Sequence, residues 1–66
     1  MSALTNLAER IDHQAAITDA RQVKLTRLIM ERAPHGQIHA ARVEHHEALM
    51  FLEELHTSYR SRLMPA

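Results

Sequence analysis

From Ile38 to Leu63 one series of residues advances in steps of three and four: Ile38, Ala41, His45, Ala48, Leu52, Leu55, Tyr59 and Leu63. All but His45 have apolar or largely apolar side chains, and the spacing is close to a heptad. Such a series keeps one stripe on one side of an α-helix. No Gly or Pro interrupts it before Pro65, so the pattern predicts a helix over 37–64. The first arm is less regular. Leu4, Leu7, Ala8 and Ile11 make one amphipathic patch, and Val23, Leu25, Leu28, Ile29 and Met30 make a stronger second one. Across "DHQAAITDAR" the stripe weakens, and Thr18 or Asp19 has the side chain to cap a new helix. The pattern predicts helix over about 3–33, either one bent rod or a short N-terminal helix followed by a longer one, with the break near 13–18.

The two arms are separated by "APHGQ". Pro34 lacks an amide donor and disfavours helix at Ala33, while Gly36 readily supplies a left-handed turn. The turn is therefore expected at 34–36. The fold class that follows is all-α: one helical-hairpin domain over 1–66.

A hairpin buries one stripe on each helix, yet "ARVEHHEALMF" (41–51) is apolar on several sides. Val43 and Met50 point away from the side shared by Ala41, His45 and Ala48, and Phe51 falls beside Glu44. Something must cover them, and for so short a chain another copy is the expected cover. Val43, His45, Met50, Phe51, Leu52, Leu55 and Tyr59 are the expected contacts of a symmetric homo-oligomer, with a dimer as the minimum.

Composition sharpens this picture. In 66 residues there is one Gly, two Pro, no Cys and two aromatics, which favours helix. A single core of this size rarely supplies more than about 3–5 kcal/mol, so a staple is expected. Without disulfides that staple is a metal, a ligand or self-association. Eight basic and eight acidic residues cancel, so no global charge draws the chain to a nucleic-acid polymer or a membrane surface. Neither a signal peptide nor a membrane span is legible, and the expected location is the cytoplasm.

Six histidines raise the question of metal. Glu31, His35 and His39 follow at four-residue steps, and Glu53 with His56 has the Glu-x-x-His spacing of di-metal bundles. That motif needs further inward carboxylates, and Glu53 and His56 project from the polar side of their helix. The default is solvent-exposed histidine, with no metal and no cofactor. Catalysis is equally poorly supported. The nucleophiles are Ser, Thr and Lys24, without a glycine-rich loop to orient them. The basic residues are more informative. Arg21, Lys24 and Arg27 follow at three-residue steps, and Arg10, Arg21 and Arg32 at eleven-residue steps that align on a continuous helix. One reading is a solvated charged face. Another is phosphate recognition by planar guanidinium forks, for which a small anionic ligand needs a local cluster only. An RNA-binding hairpin using Arg10, Arg21 and Arg32 is a third.

The stretch 41–51 also resembles the second-helix signature of phage-encoded anti-CBASS sponge proteins, whose helical hairpin recurs in anti-Thoeris sponges. That signature is Ala-Arg-x-Glu-x-x-Glu-x-x-Met followed by Trp or Phe. It is matched here by Ala41, Arg42, Glu44, Glu47, Met50 and Phe51, after a helix ending in "LIMERAP". The resemblance implies a compact all-helical oligomer, hexameric in the better-known members. It implies a function without catalysis: cyclic di- or trinucleotide immune messengers are bound at subunit interfaces and sequestered, and bacterial anti-phage effectors stay inactive in the infected cell. Arg42 is the implied phosphate contact, with Lys24 or Arg21 beside it. Glu44 and Glu47 would orient arginines or pair across an interface, and Met50 and Phe51 would pack between subunits. The sponges also set an N-terminal aromatic against a base. Here no aromatic precedes Phe51, and His13 is the only flat ring in that region. The other reading kept open is a protein-binding regulator docking through Val43, Met50 and Phe51.

Overall fold

The computed structural model describes residues 3–63 and consists of two antiparallel helices, α1 (Ala3–Met30) and α2 (His35–Leu63). The all-helical hairpin expected from the pattern is what forms. The region 13–18 holds no break: α1 runs through it. Thr18 is no cap but a buried residue, and its hydroxyl donates to the Gln14 carbonyl one turn back (2.8 Å). Gln14 in turn donates from Nε2 to the Ala48 carbonyl of α2 (3.1 Å). Gln14 and Thr18 thus sit on the side of α1 that packs on α2 with their hydrogen bonds made, while Asp12, His13 and Asp19 are exposed, so the polar stretch does not interrupt the helix.

The turn differs from expectation at both edges. α1 ends at Met30 instead of continuing to 33. Arg32 takes a left-handed conformation (φ 56°), and the amides of Ala33 and Arg32 donate to the carbonyls of Leu28 and Ile29. These two bonds make a Schellman termination, usually built on glycine. α2 begins at His35, two residues before the expected 37, because the Pro34 carbonyl accepts from Gln37 (3.0 Å) and Ile38 (3.2 Å). Gly36 therefore lies in the first helical turn and has no positive φ. The expected stop at Pro65, and Met64 before it, lie outside the described residues. Two substitutions follow from the exchanged roles of Arg32 and Gly36. Arg32→Gly relieves the left-handed strain, and Gly36→Ala adds a methyl where nothing lies within 4 Å. Each should stabilise the chain by roughly 0.5–1 kcal/mol, read as a rise in the urea midpoint. A fall in either midpoint would contradict the assigned backbone.

The core is small. Leu7, Ala41, Ala48 and Leu55 are its buried apolar residues, with Thr18 among them. Ala41 and Ala48 sit one heptad apart and let the helices approach closely. The register set by Gln14 and Ala48 brings Leu7 level with Leu55 toward the open end. Leu55, expected at an interface between copies, is buried inside its own hairpin. Its neighbours His45, Leu52 and Tyr59 are half-buried on the shoulder of the same contact, while Val43, Met50 and Phe51 remain exposed. The accessible surface is 5141 Å², against about 4,300 Å² for a compact monomer of this mass. The radius of gyration is 15.1 Å, where roughly 11 Å is usual for the length. Neither helix is long and apolar enough to cross a membrane.

Candidate functional site

The hairpin has two broad faces, and one gathers charge. In α1, Arg10, His13, Ile17, Arg21 and Lys24 return at three- and four-residue steps along one flank. In α2, Glu44, Glu47 and Phe51 do the same. Antiparallel packing brings these flanks together. Arg21 donates from Nη1 to Glu44 Oε2 at 2.9 Å, and the Lys24 ammonium lies 3.5 Å from the same oxygen. Glu44 therefore holds both cations with one carboxylate. The Arg21 and Glu44 side chains are 40% and 39% exposed, so solvent screens the pair and an incoming anion can reach it.

Two adjoining hollows open on this face. One, of about 420 Å³, is lined by Asn6, Glu9, Arg10, His13, Gln14 and Phe51. The next, of about 260 Å³, runs from Phe51 and Gln14 past Ile17 to Arg21, Glu44 and Glu47. Phe51 belongs to both, forming a ridge between them with 45% of its surface exposed. A flat ligand group has an aromatic surface there, with guanidinium and imidazole groups beside it. His13 and Phe51, far apart in the chain, line one hollow. The helical pattern alone gives no signal of this, because it needs the register between α1 and α2.

Of the three expected ligand contacts, Arg21 and Lys24 are brought together and Arg42 is not. Arg42 and Glu44 are two residues apart on a helix and so point about 160° from each other. Arg42 is exposed and borders a shallow hollow of about 300 Å³ with His39, Val43, His46 and Glu47. It has no ion pair among the described residues. Arg10 and Arg32 are likewise without one, whereas Arg27 approaches Glu31 at 4.0 Å. Among the described residues no three His, Asp or Glu side chains gather where they could hold one metal ion. Val43 and Met50 lie on the outer edge of α2, away from Phe51, so these three do not form one patch. Comparison with protein-family models, curated proteins and solved structures returns no match to this chain.

Proposed function

We propose that the chain is a non-enzymatic sponge for cyclic oligonucleotides, acting as a homo-oligomer to withhold such messengers from bacterial anti-phage signalling in the infected cell. The observation that carries this reading is the adjoining pair of hollows, with Phe51 shared between them, His13 and Arg10 at one end, and Arg21 and Glu44 at the other, where Glu44 also approaches Lys24. A cyclic dinucleotide offers flat bases and two phosphates. The bases are set against Phe51 and His13, and a phosphate displaces Glu44 from the two cations. Arg42, on the other side of α2, stands outside these hollows, and the assembly is a hexamer in the form the resemblance implies.

Native mass spectrometry of the protein, alone and with a panel of cyclic di- and trinucleotides, tests the reading. The expected result is a symmetric oligomer that takes up a fixed number of one messenger and releases it intact on denaturation. No adduct with any member of the panel would end the proposal, and recovery of a hydrolysed nucleotide would replace a sponge with an enzyme. Phe51→Ala should weaken binding about tenfold or more, the worth of one base stack. An unchanged affinity would take Phe51 out of the site. The exposure of Val43 and Met50 on the outer edge of α2 favours one other reading, a regulator docking on a foreign protein, which predicts no nucleotide adduct.

A further inference from the structure

The hairpin is one helix thick. Its Cα atoms span 47 × 22 × 12 Å, so neither broad face is covered, whereas a helical core ordinarily takes two packed layers. The two faces differ in character. In α1, Leu4 and Ile11 lie about 60° and 40° to one side of buried Leu7, while Arg10 and Arg21 lie as far to the other. In α2, Leu52 and Leu49 lie about 40° and 100° to one side of buried Ala48, and Glu44 and Phe51 lie to the opposite side. The Arg21–Glu44 contact fixes which flanks meet. The face opposite the charged one is therefore apolar, carried by Leu4, Ile11 and Ile29 of α1 and by Ile38, Leu49 and Leu52 of α2. Gln22, His45 and His56 also fall on this face, and no Asp, Glu, Lys or Arg lies along its middle.

Its rims are charged, and with opposite sign. Asp19 lies on the α1 rim and Arg42 on the α2 rim, each about 100–120° from the buried line of its helix. Both are exposed and neither pairs with another described residue of its own chain. The register set by Gln14–Ala48 and Arg21–Glu44 puts Asp19 within about one helical turn of the level of Arg42. A two-fold axis running parallel to the helices between two such faces lays α1 of each copy over α2 of the other. It keeps every residue at its own level, so Asp19 of one copy meets Arg42 of its mate twice over. The total surface exceeds that of a compact monomer by roughly 800–850 Å², so burying the roughly 800 Å² per partner of a stable interface would bring the chain to the compact value.

We infer that a second copy of this chain stacks on the apolar face in this orientation, forming a four-helix bundle closed by two Asp19–Arg42 pairs. The inference deepens the oligomeric part of the proposed function and stands apart from its ligand. It is therefore tested without nucleotide.

Sedimentation equilibrium of the intact chain should show a dimer or a multiple of it. Leu49→Arg should shift the equilibrium to monomer, while Met50→Arg, on the outer edge, leaves the pair intact. Asp19→Arg and Arg42→Asp should each weaken pairing about tenfold or more, and the double swap should recover the affinity to within about threefold. A monomeric wild-type chain would overturn the inference, as would a swap that fails to restore pairing. Since a monomerised hairpin can unfold, cysteine protection gives a second measurement on a chain that has no cysteine of its own. Ala15→Cys, on the apolar face, should become about tenfold slower to alkylate as concentration rises through the dimerisation range. Ala16→Cys, on the outer edge, should react at one rate throughout. Equal, concentration-independent rates at both positions would also overturn the inference. Loss of nucleotide binding with pairing intact would remove the sponge and leave the bundle.

Discussion

Leu55→Ala is expected to lower the unfolding free energy by about 2–5 kcal/mol, the cost of truncating a buried leucine. A domain of this length holds about 3–5 kcal/mol in total from its own core, so the variant should be largely unfolded at micromolar concentration. The size of the effect follows from how few side chains are buried. Leu55 and Leu7 are the two large ones, level with each other, and the remaining buried apolar residues are alanines. Leu63→Ala serves as the matched control, since Leu63 occupies the same stripe and is exposed. It should cost less than about 0.5 kcal/mol. Urea titration followed by far-ultraviolet circular dichroism reads both. Equal losses at 55 and 63 would mean that the buried line of α2 has been misassigned.

That comparison also shows what the sequence could and could not disclose. The stripe from Ile38 to Leu63 was legible because a three-and-four spacing without Gly or Pro has one helical solution. Which of its members are buried was not, because it depends on how closely α1 approaches; Ala41 and Ala48 disappear from solvent while Leu63 does not. The turn lies where Pro34 and Gly36 place it, but the chain makes it differently. Propensity assigns the left-handed position to glycine, whereas the backbone puts it at Arg32, since a Schellman closure after Met30 lets Pro34 and Gly36 begin the next helix. In "DHQAAITDAR" polar composition suggested a break. Gln14 and Thr18 instead spend their polar groups on carbonyls in α2 and α1, a pairing invisible until the helices are placed side by side. The same holds for the candidate site. Arg21 and Lys24 were singled out by spacing, but their shared partner Glu44, and the meeting of His13 with Phe51, depend on the antiparallel register. Arg42, singled out by resemblance, falls on a different side of its helix.

Glu44 should respond in the opposite sense to Arg21 when ligand binding is measured. Arg21→Ala removes a charged donor from the phosphate end of the joined hollows, at about 1.5–3 kcal/mol, and affinity for a bound cyclic dinucleotide should fall roughly 10- to 150-fold. Glu44→Gln keeps an oxygen for the Arg21 fork to lean on but removes the negative charge that a phosphate must displace. At the partial exposure of this pair the relief is about 1 kcal/mol at low salt, so binding should tighten roughly fivefold and the gain should shrink as salt screens it. Glu44→Ala, which also gives up the oxygen that orients Arg21, should gain less. Stability separates these effects from damage to the fold. The pair is surface-exposed and worth at most about 1 kcal/mol, so all three variants should unfold within about that margin of the parent. Calorimetric titration at two salt concentrations, paired with urea melts, makes the comparison. If Glu44→Gln weakened binding as severely as Arg21→Ala, the carboxylate would be a ligand contact in its own right. The anion would then have to enter elsewhere on the hairpin.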